Sequence, residues 1–287
     1  MRIVLGVREL RECLTDSKED TWRCYYSKFK HVFDPIFENI YRIKPEEARG
    51  LLKHVDFRIS LEIAERFLND GGLEKVKSLL ERSVELCPPI EDFDVYLLIG
   101  LNGIGGTAKK ANKPYIFLGL EMYEALGRLT GTSALEALDY LVPHEYAHLV
   151  RSEHLGGWSV EDLTVGELAV HEGIATLFPL VLKGDLSLEE LRKSIGYNEV
   201  QINYALKHKD EIINEILALW DVELDEEISK RYFLTNFKGN IGGRPHILGY
   251  FAGSWIVLNL LKAGFVICEL IKMPSDEILT LYLEVVR

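Results

Sequence analysis

Two short segments constrain the fold of this chain more than anything else in it. Val95-Tyr96-Leu97-Leu98-Ile99 and Tyr115-Ile116-Phe117-Leu118-Gly119-Leu120 are β-branched and aromatic, as buried strands are. Most of the remaining chain has helical texture. Leu61 to Leu68 shows helical apolar spacing, ended by Asn69-Asp70-Gly71-Gly72, and a second helix runs from Leu73 to Leu86 until Cys87-Pro88-Pro89 breaks it. Pro45-Glu46-Glu47-Ala48-Arg49 reads as a helix start, with Pro in the first position and acids in the first turn. From about Leu126 the pattern is helical to the end. The expected class is α+β, mostly helical, with a small sheet. Residues 1–90 are expected to form a helical N-terminal region that packs with residues 91–287 as one compact unit.

Between the strands lies Asn102-Gly103-Ile104-Gly105-Gly106-Thr107, with Lys109 and Lys110 behind it. Glycines beside lysines suggest a phosphate cradle. Neither G-x-x-x-x-G-K-[ST] nor G-x-G-x-x-G is present, so the segment is expected to be a hairpin or loop. Charge points away from nucleic acid as well. Lys plus Arg number 33 against 45 Asp plus Glu, a net charge of −12, whereas phosphate binding draws on clustered cations.

A run from Pro245 to Leu261 holds no Asp, Glu, Lys or Arg. It falls short of the ~20 apolar residues of a membrane span, so a buried helix is expected and no membrane span. Cys13, Cys24, Cys87 and Cys268 are far apart and form no C-x-x-C pair. They read as free thiols in a reducing compartment. With an N-terminal apolar stretch too short for a signal peptide, this predicts a cytoplasmic protein.

The chemistry is concentrated in Pro143-His144-Glu145-Tyr146-Ala147-His148-Leu149-Val150, which contains H-E-x-x-H. Residues four apart on a helix lie about 40° apart in rotation and one turn up. His144 and His148 therefore face the same way and can bind one Zn²⁺. Glu145, about 100° around from His144, reaches water at the metal without ligating it. Pro143 implies either a kink there or a helix that begins there.

A catalytic zinc requires a third protein ligand and an open position. Ser159-Val160-Glu161-Asp162 reads as the capped start of the next helix, which carries Glu167, His171 and Glu172. At 100° per residue, Leu163, Val170, Ile174 and Leu177 form one apolar stripe. Glu172 points nearly opposite, among small residues suited to close helix packing. Glu167 lies at the edge of the larger stripe. Spacing alone leaves both glutamates open.

Glu172-Gly173-Ile174-Ala175-Thr176 resembles the E-G-[hydrophobic]-A-T segment that follows H-E-x-x-H in gluzincin metallopeptidases of the aminopeptidase type. In those the glutamate is the third zinc ligand, which implies Glu172. They commonly have eighteen residues between the second histidine and that ligand. Here the gap is twenty-three, and eighteen would land on Glu167. The loop His154-Leu155-Gly156-Gly157-Trp158 can absorb the difference. Together with H-E-Tyr-x-H-Leu-Val-Arg and Leu248-Gly249-Tyr250-Phe251-Ala252-Gly253, the chain from about 90 to 265 resembles a bacterial family of predicted Zn-dependent proteases.

The resemblance implies a zincin-like core in residues 91–287, with the sheet preceding the active-site helix. It also implies a peptide or protein substrate that pairs with the strand Tyr115–Leu120. Zinc held by His144, His148 and Glu172 would activate water, with Glu145 as general base. Tyr250 is the first choice of oxyanion donor, with His246 and His171 behind it. Two other classes compete: a zinc hydrolase of a non-peptide amide or ester, and a non-catalytic metal-binding or regulatory protein.

Overall fold

The computed structural model describes residues 1–40, 50–110, 113–160, 163–234 and 244–286. The helix start at Pro45–Arg49 and the cap residues Glu161 and Asp162 lie outside the described residues. The fold class is α+β and mostly helical, around a four-stranded mixed sheet.

The strands are β1 (Arg2–Leu5), β2 (Asp94–Leu98), β3 (Gly105–Lys110) and β4 (Lys113–Gly119), in the order β1-β2-β4-β3. β1, β2 and β4 run parallel, with Val95 opposite Ile3 and Ile116. β3 returns antiparallel to β4, with Thr107 opposite Ile116. All of β2 and nearly all of β4 are buried. Strands covered on both faces read as continuous apolar runs, which is why these two were visible in the sequence.

Three expectations change here. β1 falls inside the stretch read as helical, because four residues give little local signal and the pairing partner is about ninety residues away. The glycine segment is a loop only as far as Ile104, and from Gly105 it is strand. β4 cannot take a substrate strand, since β2 and β3 occupy both of its edges. The edge next to the motif helix is β3.

Helices cover both faces of the sheet. On one lie α1 (Val7–Cys13) and α2 (Lys18–Pro35), followed by a π turn at Ile36–Ile40. Phe33 of α2 meets Phe117 of β4 edge-on, and the Tyr115 hydroxyl donates to the Val32 carbonyl at 2.9 Å. Next come α3 (Phe57–Asn69), α4 (Gly72–Leu86) and α5 (Tyr123–Thr130). The site is carried by α6 (Ala134–Leu155) and α7 (Val165–Lys183). Behind them lie α8 (Leu188–Ile195), α9 (Glu199–Lys207), α10 (Lys209–Ala218) and α11 (Glu226–Tyr232). The chain closes with α12 (Leu248–Lys262), α13 (Ile267–Leu270) and α14 (Ser275–Val285). One continuous apolar core runs from Val7 to Tyr282.

The uncharged run after Pro245 forms α12, mostly buried. Among the described residues one helix, α7, is long and apolar enough to cross a membrane, and most of it is buried within the protein. The cysteines depart from expectation. Cys13 is bonded to Cys24 and Cys87 to Cys268, and each pair has its Cα atoms 5.5 Å apart. The second pair is 181 residues apart in sequence, so only the fold could reveal it. The cytoplasmic expectation loses the footing it had in free thiols.

Candidate metal centre

α6 starts nine residues before Pro143, where the Ser133 side chain accepts from the Glu136 N–H, and ends at Gly156 in the left-handed region (φ +81°). Pro143 sits in its interior, so the helix neither begins there nor stops there. One face of α6 looks into a cavity. Between Leu141 and Val150 only Leu141, His144 and His148 are not fully buried, which is the i, i+3, i+7 spacing of one helix side.

α7 begins later than the sequence suggests. Thr164, not Ser159, is its cap: the Thr164 hydroxyl accepts from the Glu167 N–H, and the Glu167 carboxylate accepts from the Thr164 N–H at 2.7 Å. That capping box occupies Glu167. Glu172, five residues on, faces α6. Its Oε2 lies 3.4 Å from Nε2 of both His144 and His148, and the two Nε2 atoms are 3.0 Å apart. One ligand atom from each of the three residues falls within 4.8 Å of the others. Of the two open glutamates, the fold brings Glu172 to the histidines.

This donor set fits zinc. Ligands at ~2.0–2.1 Å from a tetrahedral ion lie about 3.3 Å from one another, close to the spacings observed. Glu172 Oε2 is buried and without a hydrogen-bond partner, and two imidazole nitrogens converge on it. A cation between them would satisfy all three. Burial alone would raise the Glu172 carboxyl, but His148 and His144 hold it well below the usual carboxylate range.

Glu145 is buried against β3. A Cβ on Gly105 would lie 2.6 Å from Glu145 Oε1, so only glycine allows strand and carboxylate to come this close. Its neighbour Gly106 faces the other way, toward Ile36 and Ile40, as strand alternation requires. Glu145 Oε2 has no hydrogen-bond partner. Burial pushes this carboxyl up to about 7, with His144 opposing and the Glu172 charge adding.

Two residues define the surroundings. His171 Nδ1 lies 3.2 Å from His148 Nδ1, with the rings stacked 5.5 Å apart. For His148 to present a lone pair at Nε2, its Nδ1 must carry the proton, and His171 must accept it. Burial, then the charges of Arg151 and His148, hold His171 well below its ordinary value, which keeps it neutral and able to accept. Arg151 is fully buried and donates to the carbonyls of Leu270, Ile271 and Met273 and to the Ser275 hydroxyl. It fastens the end of α6 to the start of α14.

Tyr250 reaches the site from α12. Burial first, then the charge and hydrogen bonding of Glu172, push its phenol well above the ordinary range. The residue that caps the start of this helix, Ile247, is β-branched and sits at φ +50°. This strained conformation persists only where surroundings impose it. Gly253, one turn beyond Tyr250, lies against the backbone of Ala169, and Gly173 against that of Gly253. His246 lines the cavity farther along, its Nδ1 buried and unpartnered.

Sequence reasoning missed the closeness of Gly105 to Glu145, and it placed His171 among possible ligands and oxyanion donors rather than behind His148. The glycine doublet was the only local signal for the first. The second had none.

The family described as Predicted Zn-dependent protease (DUF2268) matches residues 91–280, and the chain belongs to that family. No curated protein matches the chain, and no solved structure matches it.

Proposed function

We propose that this chain is a zinc-dependent peptidase with a zincin-like core of the gluzincin kind. His144, His148 and Glu172 hold the metal, and Glu145 is the general base. The observation that carries the reading is the convergence of these four side chains in one cavity: three ligand atoms within 4.8 Å, beside a buried carboxylate with an unpartnered oxygen. Membership of a family described as zinc-dependent proteases supports it.

Bound zinc supplies Lewis acidity, polarising a carbonyl and making nearby water more acidic. The chain's own groups do the rest. Glu145 accepts a proton at Oε2 from the attacking water and passes it to the leaving nitrogen as the C–N bond breaks. Its buried, unpartnered Oε2 beside the three ligand atoms suits that transfer. Tyr250 donates from its hydroxyl to the carbonyl oxygen as negative charge develops. His171 accepts from His148 Nδ1 and holds the imidazole in its ligating orientation. The substrate main chain lies along β3, the edge strand of the described sheet, rather than along β4.

Zinc content and peptide cleavage, measured on the wild type and Glu145→Gln, test this. The expected result is one zinc per chain in both proteins, with turnover falling by about 10²–10⁴ in the variant. Retained turnover in Glu145→Gln removes the mechanism. A wild type that binds no zinc removes the whole reading.

A further inference from the structure

The cavity around the metal ligands extends well beyond them. Its volume is about 1030 Å³, at the upper limit of pockets for compact small molecules. One wall is α6, which contributes Ala137, Leu141, His144, His148 and Ser152. At 1.5 Å per residue this wall is about 22 Å long. An extended peptide advances about 3.4 Å per residue, so about six residues lie along it. His144 is about 10 Å from Ala137, and His148 is about 6 Å from Ser152. Beyond Ser152 the loop from Gly157 to Val160 prolongs the wall. The ligands therefore stand partway along this wall, with lining residues on both sides of them.

The two arms share one chemistry. Leu126, Leu129 and Leu141 line the groove toward the start of α6, and Trp158, Val160 and Leu163 line it beyond the end of α6. Outside the metal centre, the Lys, Arg, Asp and Glu residues among the described lining are Lys193, Glu226 and Lys230. Each is engaged in an ion pair: Lys193 with Glu190 at 3.0 Å and with Glu189, and Lys230 with Glu226. An exopeptidase must meet the charge of a free amino or carboxyl terminus close to the metal. Apart from the imidazoles of His54 and His246, the described walls outside the metal centre offer paired charges and mostly apolar surface.

We infer that the site takes the interior of an extended polypeptide, as an endopeptidase, with apolar side chains seated in both arms on either side of the cleaved bond. This rests on the peptidase reading above. The main chain lies along β3, the edge strand of the described sheet, and Gly105 lets that strand approach Glu145 closely.

The test uses zinc-loaded full-length protein and octapeptides blocked by acetyl and amide groups at their ends. Their central residues are either Leu, Val and Phe or Asp and Lys. Unblocked tripeptides of the same apolar residues complete the panel. The blocked apolar octapeptides are expected to be cut internally, with kcat/KM at least about tenfold above the charged ones and above the tripeptides. Leu129→Glu places a carboxylate in one arm, away from the metal ligands. It should keep its zinc and move the preference toward Lys-containing peptides. Binding of a labelled blocked peptide to zinc-loaded Glu145→Gln reads the groove without turnover.

Cleavage confined to substrates with a free terminus overturns the inference, and so does a preference for charged residues. If the wild type cuts nothing while Glu145→Gln binds the blocked apolar peptide in preference to the charged one, the groove assignment stands and the peptidase reading falls. If that variant binds charged peptides as tightly as apolar ones, the groove assignment falls with either result.

Discussion

Replacing Gly253 by alanine tests how the site is assembled. A Cβ at that position would lie 1.7 Å from the Ala169 carbonyl oxygen and 2.5 Å from its carbon. Real Cβ atoms essentially never come closer than 3.0 Å, so α12 and α7 must separate by at least 3.0 − 1.7 = 1.3 Å. The obstacle is backbone, which cannot rotate away as a side chain can. Overpacking of this kind costs typically about 1–3 kcal/mol. At about 2–4 °C per kcal/mol for a chain of this size, the melting temperature should fall by roughly 2–12 °C. The shift also reaches the site, because Glu172 precedes Gly173 on α7 and Tyr250 lies one turn from Gly253 on α12. A misplacement near 1 Å costs on the order of 10²-fold in rate. Thermal unfolding, zinc affinity and peptide cleavage would be measured together. Gly50→Ala, where the added methyl meets nothing within 4 Å, serves as the control. If Gly253→Ala melts with the wild type and keeps its zinc affinity and activity, close backbone contact between α7 and α12 does not position this site.

Glu172→Ala should lose zinc, whereas Glu167→Ala should keep it and lose only the helix cap, about 1 kcal/mol in chemical denaturation. Equal zinc loss in both would make Glu167 a ligand. His171→Ala should weaken zinc binding by about 10–100-fold in a chelator competition, with partial rescue by His171→Asn. Unchanged affinity would leave His171 a packing residue. Glu121 is buried and accepts from the Gly100 and Asn102 N–H groups, and burial pushes its carboxyl up to about 7. Its folded value therefore lies above its unfolded value. The stability linked to it is full below about pH 4.5 and is lost as pH rises through about 7, on the order of 3 kcal/mol in all. Glu121→Gln should flatten that decline in unfolding free energy between about pH 5 and 8, and an unchanged slope would remove Glu121 as its source.

Local physics made part of this protein readable. His144, Glu145 and His148 lie within two turns of one helix, where 100° per residue sets their relative directions whatever else the chain does. β2 and β4 were visible because strands buried on both faces are apolar throughout. The third candidate ligand was not legible at this level. Glu167 and Glu172 are both on α7, and the choice between them depended on where that helix starts and how it rolls against α6.

The tertiary structure alone decided the rest. It joined β1 to β2, placed β3 at the sheet edge, turned Thr164 and Glu167 into a cap, set His171 behind His148 and brought Cys87 to Cys268. Each of these depends on contacts between residues that are distant in sequence or on different elements, or on the exact start of a helix. The sequence by itself determined a mostly helical α+β chain with two imidazoles and a carboxylate on one turn-and-a-bit of helix, because helical periodicity acts over a few residues. Which glutamate meets those histidines, which strand ends the described sheet beside them, and how far a cavity extends around them follow from packing, which has no fixed period along the chain.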